Sequence, residues 1–322
     1  MKILVTGGAG YVGSTLVPIL LSAGHTLRVL DSLNYGGASL LSVWSDPAFE
    51  FRRADIRDRA AVKSALSGME AVVHLAAVVG DPACARDPHL ARAVNLEASL
   101  ALIEDCQRVG VERFVFASTC SNYGRMKDAN RYVDEESELS PVSLYAETKV
   151  AVEKALLAAD NGKAWSPTLL RFATIFGTSP RMRFDLTVNE FTLEMLVKKK
   201  LVVFGEQFWR PYVHVRDAAR AIRLVLESAT AKVAGRVFNA GATDQNFQKQ
   251  QVVGLIRPYA PDAVVEFVHK TEDPRDYRVS FSRISEQLGF QTTRTVTDGI
   301  AEVASLVREN VINDFENRSY RN

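Results

Sequence analysis

Short apolar segments alternate with amphipathic segments through the first half of the chain. The apolar segments predict strands, because each is short and is bounded by polar residues or glycine. They lie at residues 2–6, 26–30, 49–54, 71–75 and 113–117. Hydrophobic positions spaced three to four residues apart predict helices near residues 60–66 and over residues 91–109. This βαβ rhythm predicts an α/β fold with a Rossmann-type, doubly wound parallel sheet.

The second half of the chain adds further elements to this sheet. Residues 167–172 and 236–239 have the composition of two more buried strands, and residues 215–227 have the spacing of a helix. Residues 145–159 also predict a helix, because their apolar positions continue at helical spacing. The sheet is therefore expected to draw on both halves of the sequence.

Two less regular stretches, residues 177–212 and 243–322, interrupt and follow these sheet elements. A linker rich in proline, serine or glycine does not separate them from the rest of the sequence. We predict that residues 1–176 with 213–242 form one domain around the sheet. Residues 177–212 with 243–322 are expected to form a smaller α/β lobe.

A glycine-rich turn connects the first strand to the helical segment that follows it. Gly7, Gly10 and Gly13 have the spacing G-x-x-G-x-x-G, one residue wider than G-x-G-x-x-G. Gly7 permits a tight turn, Gly10 lets backbone N–H groups approach an anion closely, and Gly13 lets the helix pack on the sheet. Alone, the turn fits both an ordinary βα connection and a site for a dinucleotide pyrophosphate.

Asp31 ends the second apolar segment, where an acidic residue meets the adenosine ribose in dinucleotide sites. Such a carboxylate accepts hydrogen bonds from both ribose hydroxyls and repels a 2′-phosphate, which favours NAD over NADP. Arg28 lies close in sequence and leaves NADP open. The other interpretation of Asp31 is an ordinary turn residue at a strand end. The glycines and Asp31 together favour the nucleotide site.

Composition narrows the possible partners and the cellular location. A net charge of +1, with 24% charged and 47% hydrophobic residues, is typical of a globular enzyme and gives no indication of nucleic-acid binding. Lys198, Lys199 and Lys200 end a helical pattern, where cations suit the helix dipole. The sequence predicts neither a membrane span nor a signal peptide. Its three cysteines have no metal-ligand spacing, and we expect a reducing cytoplasm.

Three segments follow predicted strands and are expected to meet at one edge of the sheet. They are Asp55-Ile56, residues 76–81 and residues 118–120. Ligands of doubly wound folds bind beyond the carboxyl ends of the strands. These segments are therefore expected to surround a cofactor and a substrate.

Tyr145 and Lys149 lie four residues apart, on one face of the predicted helix. A nearby ammonium group stabilises a phenolate and lowers the phenol pKa from about 10 towards the working pH. A general base acting on a sugar hydroxyl needs this property. Such a pair is often an ordinary surface pair. Here it accompanies the strand-end hydroxyl of Thr119, and the combination favours catalysis.

Together these motifs resemble the extended short-chain dehydrogenase/reductases that modify nucleotide sugars, of the NAD-dependent, UDP-glucose 4-epimerase-like epimerase/dehydratase type. The resemblance spans nearly the whole chain and implies NAD, a substrate-binding smaller lobe and a homodimer formed through residues 91–109 and 145–159. Besides the three glycines, the matching residues are Asp31, Asp55-Ile56, Leu75-Ala76-Ala77, Asn95, Ser118-Thr119, Tyr123-Gly124, Tyr145, Lys149, Asn189, Arg210 and Arg275.

The resemblance implies the catalytic and cofactor-binding residues. Tyr145 is expected to be the acid/base, Lys149 to bind the nicotinamide ribose and lower the Tyr145 pKa, and Thr119 to hydrogen-bond the reacting oxygen. Asp55 and Ile56 are expected to flank the adenine. The full set of expected NAD contacts is Gly7, Gly10, Tyr11, Val12, Gly13, Asp31, Asp55, Ile56, Leu75, Ala76, Ala77, Asn95 and Lys149.

The resemblance also implies where a nucleoside diphosphate sugar binds. Arg210 and Arg275 suit the diphosphate, because guanidinium groups match phosphate oxygens better than ammonium groups do. The alternative for each arginine is a surface salt bridge. Packing roles are the alternatives for Cys120 and Tyr123. The expected substrate contacts are Val79, Cys120, Ser121, Tyr123, Asn189, Arg210 and Arg275.

The residues after Thr119 bear on the reaction. The 4,6-dehydratases of this family carry an Asp-Glu pair there, and a 3,5-epimerase is expected to carry cysteine at the position of Ser121; this chain has Cys120-Ser121. Tyr145, Thr119, Lys149 and a nicotinamide suffice for reversible oxidation at one sugar carbon. We therefore predict a nucleotide-sugar epimerase acting at C4. The alternative is an NAD(P)H-dependent nucleotide-sugar 4-ketoreductase or dehydrogenase.

Two departures from the epimerase pattern leave the identity of the substrate sugar undetermined. Pro211 stands where such epimerases commonly carry aspartate, and Thr174 stands in place of an expected asparagine. A hypothesis from a different class is a non-catalytic dinucleotide sensor or scaffold built on the same sheet. The joint presence of Tyr145 and Lys149 argues against this hypothesis.

Overall fold

The computed structural model describes residues 1–126, 128, 131–159, 165–271 and 275–322. The strands within these residues are β1 (Lys2–Thr6), β2 (Thr26–Asp31), β3 (Phe49–Arg53), β4 (Ala71–His74), β5 (Arg113–Thr119), β6 (Ser166–Phe172), β7 (Thr174–Phe176), β8 (Lys200–Phe204), β9 (Trp209–His214), β10 (Arg236–Ala240), β11 (Asn246–Gln248) and β12 (Val264–Val268). The α-helices are α1 (Tyr11–Ser22), α2 (Arg59–Leu66), α3 (Asp81–Arg86), α4 (Pro88–Arg92), α5 (Ala98–Val109), α6 (Leu144–Ala159), α7 (Thr187–Leu193), α8 (Val215–Glu227), α9 (Thr230–Val233), α10 (Lys249–Ile256), α11 (Ser282–Leu288) and α12 (Val296–Arg308).

Seven parallel strands form the main sheet in the order β3-β2-β1-β4-β5-β6-β10. The chain starts in the middle of the sheet, winds out to β3, and returns to build the other half from β4. This order confirms the predicted Rossmann-type doubly wound fold. Each predicted sheet strand is present, with its end shifted by at most two residues.

Helices cover both faces of the sheet because alternate strand residues point to opposite sides. On β1, Ile3 and Val5 pack in a core that includes Leu16 and Leu20 of α1 and apolar residues of α8. Leu4 points to the other face and packs in a core with residues of α2, α5 and α6. The near-continuous apolar composition of the strands follows from this burial on two sides.

The predicted helix over residues 91–109 is a longer helical run with an irregular turn. The run begins with α4, passes through a π-helical turn at Ala93–Glu97, and continues as α5. Asp87 caps its start, because its carboxylate accepts a hydrogen bond from the Leu90 N–H. The left-handed Gly110 ends it. The periodicity predicted the helix but not the π turn.

Residues 177–212 and 243–322 contain more regular structure than their sequence pattern predicts. They contribute four longer helices, α7, α10, α11 and α12, and most of two small sheets. One small sheet has the order β11-β9-β7, and the other pairs β12 with β8. Phe176, Tyr212 and Val252 belong to a separate core beneath these elements. In contrast, Tyr277, Phe281 and Ile284 pack in the core of the main sheet.

A tight contact joins the small sheets to α12. The His214 ring lies edge-on to Phe176 and its Nε2 is 2.9 Å from a Glu302 carboxylate oxygen. Although burial opposes this, hydrogen bonds from His214 and Thr178 hold the pKa of Glu302 at about 2, below its usual 4.5. Gly299 of α12 faces the same rings. This region has no space for an additional carbon atom.

The contact at Gly299 predicts a loss of stability from a single methyl group. A Cβ atom at Gly299 would lie 2.4 Å from the Phe176 ring, so we expect Gly299→Ala to lower the free energy of unfolding by about 1–3 kcal/mol. Gly254, inside α10, is the control, because a Cβ there meets no described atom within 4 Å. We expect Gly254→Ala to raise stability by about 0.5–1 kcal/mol. Denaturant titration measures the free energy of unfolding of both variants. An equal change in the two variants would contradict the tight packing at Gly299.

Candidate active site

The glycine-rich turn forms a narrow cradle between β1 and the end of β4. Gly7 has a φ of +75°, and a Cβ on it would lie 2.7 Å from the Ala76 backbone nitrogen. A Cβ on Gly13 would lie 2.4 Å from the Gly7 carbonyl oxygen. Gly10 precedes α1 and offers no side chain to cap its N–H groups. Those N–H groups suit an anion such as the NAD pyrophosphate, so the cradle fits this cofactor.

Asp31 lies beside the cradle, and the protein backbone fixes its carboxylate. Its two oxygens accept hydrogen bonds from Ala9 N at 3.0 Å and Leu33 N at 2.8 Å. Burial raises the pKa of Asp31 above 3.8, and the two backbone hydrogen bonds act in the opposite direction. The carboxylate therefore lies where the sequence places the ribose of a dinucleotide.

Arg28 points away from Asp31. Its guanidinium donates to Glu50 Oε2 at 2.7 Å and to the carbonyl oxygens of Ala65 and Ser67, at the C-terminal end of α2. This end of α2 lies at the amino-terminal ends of the strands, whereas the cradle lies at their carboxyl-terminal ends. Arg28 is therefore not positioned to bind a 2′-phosphate beside Asp31, and it no longer supports NADP as the cofactor.

The other predicted cofactor residues differ in their burial and in their hydrogen-bond partners within the chain. Asp55 bonds to the guanidinium of Arg57, which lowers the Asp55 pKa. Tyr11 and Val12 begin α1, whereas residues 55–56 and 75–77 follow the ends of β3 and β4. Tyr11 and Ile56 are buried, and Val12, Leu75, Ala76 and Ala77 are partly buried. The Tyr11 hydroxyl donates to the Gly177 carbonyl oxygen at 2.5 Å.

Asn95 is buried and holds the loop after β4. Its Oδ1 accepts a hydrogen bond from Val78 N at 2.7 Å and its Nδ2 donates to Val78 O at 2.9 Å. These two bonds use both ends of the amide. Asn95 therefore positions the loop that contains residues 76–81, and its direct contact with the cofactor stays a prediction.

Tyr145 and Lys149 lie at the start of α6, next to the end of β5. Lys149 is 4% exposed and its Nζ donates to the Ala117 carbonyl oxygen at 2.8 Å. The same Nζ lies 5.8 Å from the centre of the Tyr145 ring and 4.7 Å from that of Phe116. Thr119 ends β5, and its hydroxyl accepts from Ser121 N. The structure thus brings the three predicted catalytic residues to one strand end and one helix start.

The protonation of this pair differs from the sequence expectation. Burial raises the pKa of Tyr145 above its usual 10, and it lowers the pKa of Lys149 to about 8. Desolvation penalises the charged form of each group and is the largest cause of both pKa shifts. The expected lowering of the Tyr145 pKa is therefore not present in this structure.

A buried ion pair connects β5, β6 and α6 behind the catalytic residues. Arg171 of β6 donates to both carboxylate oxygens of Glu153 of α6, with the shortest distance 2.7 Å from Nη2. The hydroxyl of Ser118, next to Thr119, donates a hydrogen bond to the Glu153 carboxylate. Asn122 donates to Glu153 at 3.0 Å. Arg171 also donates to the Tyr123 hydroxyl at 3.0 Å. This network fixes the strand end against the catalytic helix.

Three predicted substrate residues lie inside the protein. Cys120 is 1% exposed and its thiol donates to the Arg171 carbonyl oxygen. Tyr123 is 2% exposed and its hydroxyl donates to Asn239 at 2.7 Å. Asn189 is fully buried, and its amide bonds to the backbone of Gly177 and Arg183. The polar atoms of all three have internal partners, and their expected contact with the substrate stays a prediction.

The other predicted substrate residues lie around the Tyr145 side of the site. Val79 and Ser121 are partly buried, and the Ser121 hydroxyl is 3.3 Å from the Tyr277 hydroxyl. Arg210 lies over the Tyr277 ring, 5.7 Å from its centre. Arg275 forms a salt bridge with Asp81. Asp273 and Pro274, which precede Arg275, lie outside the described residues.

The sequence analysis gave no role to several groups around the Tyr145 phenol. Asp81, Arg183 and Tyr277 all act electrostatically on its pKa. They come from α3, from the loop after β7 and from the segment before α11. Asp81 lies in the strand-end segment that was expected to face the ligand. Its contact with Arg275 could not be predicted, because the two residues are far apart in sequence. For Arg183 and Tyr277 the sequence carried no comparable signal.

The sheet, the glycine cradle and the Tyr-Lys pair define a nicotinamide-dependent short-chain dehydrogenase/reductase fold. The family model described as "NAD dependent epimerase/dehydratase family" matches residues 3–241. The chain belongs to this family, which confirms the predicted resemblance. Membership implies NAD as its cofactor.

Curated relatives and solved structures cover nearly the whole chain. A dTDP-glucose 4,6-dehydratase of an Actinoplanes species is 30% identical over 96% of this chain and 98% of its own length. A UDP-glucose 4-epimerase of Corynebacterium glutamicum is 28% identical, with 94% of each chain covered. The UDP-glucose 4-epimerase of Thermus thermophilus in complex with NAD has a TM-score of 0.83 at 27% identity and covers 96% of this chain and 100% of that one.

The described residues show neither a membrane-spanning helix nor a metal site. Within the described parts of the chain, every helix is too short or too polar to cross a bilayer. Those parts also lack a group of three or more histidine, cysteine and acidic side chains arranged to hold a metal ion. All three cysteines are buried and unpaired with one another.

The buried ion pair behind the site predicts a large loss of stability when one charge is removed. We expect Glu153→Gln to lower the free energy of unfolding by about 3–5 kcal/mol, because Arg171 then remains charged and buried without its counter-ion. The matched control is Glu194→Gln, which breaks the more exposed pair with Lys198 and costs at most about 1 kcal/mol. Denaturant unfolding compares them. Similar losses in the two variants would show that burial does not set the cost.

Proposed function

We propose that this chain is an NAD-dependent nucleotide-sugar epimerase that inverts C4 of a hexose. The observation that carries the proposal is the end of β5: Thr119 meets Tyr145 and Lys149 of α6, and Cys120-Ser121 follow in place of a carboxylate pair. Dehydration needs a further acid and base at the sugar. Reversible oxidation needs only one residue that accepts and returns the hydroxyl proton.

In this proposal each group of the chain has one task. A bound NAD, held by the glycine cradle and Asp31, would supply reversible hydride transfer at the sugar carbon. Tyr145 takes the proton of the C4 hydroxyl as a phenolate and gives it back, which requires that bound cofactor and substrate lower the pKa that burial raises in the ligand-free chain. Thr119 orients the same oxygen. Lys149, held by Ala117, places a positive charge beside the phenol and the nicotinamide ribose. The glycine cradle and Asp31 hold the pyrophosphate and adenosine ribose.

The proposed substrate site lies around Tyr145 and combines the partly buried Val79 and Ser121 with the buried Arg210 and the partly exposed Arg275. Val79 and Ser121 border the sugar, and Arg210 and Arg275 bind the diphosphate. We propose residues 177–212 with 243–322 as the substrate-binding lobe and residues 1–176 with 213–242 as the NAD-binding domain. Within that lobe, the segment around Tyr277 also packs on the main sheet and so joins the two parts.

The alternative within the family is a nucleotide-sugar 4-ketoreductase that exchanges its nicotinamide with the solvent. It uses the same Tyr145, Lys149 and Thr119, so the site chemistry supports both reactions. Asp31 favours NAD, the form that an epimerase recycles internally, and Arg28 does not oppose this choice. A cytoplasmic location stays a prediction from the cysteine content.

A substrate panel separates these reactions. The purified protein is incubated with UDP- and dTDP-linked hexoses without added cofactor, and NMR follows the sugar protons. We expect conversion to the C4 epimer, because the released hydride stays in the same active site. Formation of a 4-keto sugar only when oxidised NAD or NADP is added, with release of an equal amount of NADH or NADPH, identifies a ketoreductase or dehydrogenase running in reverse. A 4-keto-6-deoxy product identifies a dehydratase.

Tyr145→Phe tests the acid/base in the same assay. We expect turnover to fall by a factor of about 10² or more while NAD content is unchanged, because the variant loses only the proton carrier. Tyr132→Phe, which removes a hydroxyl from an exposed tyrosine, is the matched control and keeps full activity. A variant at Tyr145 that turns over normally contradicts the mechanism. If the wild-type protein and the Tyr145→Phe variant both bind NAD and both lack activity, the result favours a dinucleotide sensor.

We further propose a homodimer formed through the outer faces of α5 and α6. These faces carry the small, partly exposed Ala101, Ala151 and Ala155, and Leu157 is 39% exposed. Small residues let two helix pairs pack closely, as in a four-helix bundle. Sedimentation measures the mass, and we expect Leu157→Glu to convert a dimer to monomers. A monomeric wild-type protein would contradict the proposal.

A further inference from the structure

Asp81 lies beside the candidate active site, and the reaction proposed above gives it no task. It is the first residue of α3 and follows Gly80, whose φ of +96° favours glycine. Its side chain is 25% exposed. One carboxylate oxygen accepts a hydrogen bond from the Ser143 hydroxyl at 2.7 Å, and the other accepts from Arg275 Nη1 at 2.7 Å. Two elements far apart in sequence therefore meet at this carboxylate.

Ser143 connects Asp81 to the helix that carries Tyr145. The Ser143 hydroxyl accepts a hydrogen bond from Ala146 N at 3.3 Å, and its carbonyl oxygen accepts from Glu147 N at 2.8 Å. Ser143 thus caps the start of α6. The charge of Asp81 also acts on the Tyr145 phenol. Asp81 therefore borders the sugar side of the site.

Arg275 connects Asp81 to the opposite wall of the site. The two residues are 194 positions apart in sequence, and the Arg275 side chain is 39% exposed. An ion pair with this exposure contributes little to stability, because water competes for both charges. A diphosphate offers several oxyanions to the same guanidinium. Phosphate oxygens and the Asp81 carboxylate therefore compete for Arg275.

We propose that Asp81 is a specificity-determining residue that occupies Arg275 until a diphosphate replaces it. In the chain without ligand, the carboxylate neutralises the guanidinium and closes the gap between α3 and the segment before α11. A ligand that brings phosphate oxygens takes over Arg275. A free sugar or a nucleoside lacks these oxygens and does not open the pair. The inference rests on the proposed function, which assigns Arg275 to the diphosphate of a nucleotide sugar.

The test is calorimetric titration of the NAD-loaded protein with UDP and with dTDP. Asp81→Asn keeps the size of the side chain and removes the competing charge. We expect the better of the two diphosphates to bind on the order of fivefold more tightly to this variant. Arg275→Gln weakens binding, and adding Asp81→Asn to it has no further effect. Uridine and thymidine, which lack phosphate, bind no more tightly to Asp81→Asn than to the wild type.

Controls separate this exchange from a general charge effect and from misfolding. Glu147→Gln removes an exposed carboxylate near the same helix start and leaves the affinity unchanged. Asp81→Ser removes the same charge and replaces the asparagine variant if that variant does not fold. Unchanged or weaker diphosphate binding overturns the inference, and so does equal tightening with and without Arg275. Turnover of the sugar panel is measured in parallel, so turnover without an Asp81 effect refutes this inference alone.

Discussion

The Glu153–Arg171 ion pair is the constraint on which the active-site geometry depends. Three elements meet at it: β6 supplies the guanidinium, α6 the carboxylate, and the end of β5 the Ser118 hydroxyl. A buried carboxylate must have its lone pairs satisfied, and this requirement leaves few arrangements of the three elements. Thr119 follows Ser118 directly, and Tyr145 and Lys149 lie on the turns of α6 that precede Glu153. The geometry of the candidate active site is therefore set by an interaction among three elements of the chain.

The main sheet and the cofactor cradle could be predicted because their signals are local. Parallel strands buried on both faces are almost wholly apolar, and the helices between them show their periodicity within one segment. Gly7 and Gly13 have contacts that exclude any side chain, and their spacing is visible in the sequence. The strands of the smaller lobe are harder to recognise. β11 has three residues and produces no apolar run. β8 and β12 are apolar runs, but no regular alternation of strands and helices surrounds them to mark them as parts of a sheet.

The candidate site could be predicted less well, because it depends on burial and on distant partners. Cys120 and Tyr123 follow a strand end, where a ligand is expected, but the chain turns there and directs both side chains inward. The proton affinity of Tyr145 was expected from its distance to one cation, whereas the surrounding protein determines it. Asp81 and Arg275 are each visible in the sequence. Their contact arises only when the complete fold brings α3 and the segment before α11 together.

The contact between Gly7 and Ala76 has a consequence for how the protein acquires its cofactor. The cradle requires backbone atoms from two strands that are about seventy residues apart, so a nascent chain that ends before β4 has no complete site. Dinucleotide loading must therefore come after the centre of the sheet has assembled. From that point the bound cofactor favours the assembled centre over any partly folded form, because only the assembled form binds it.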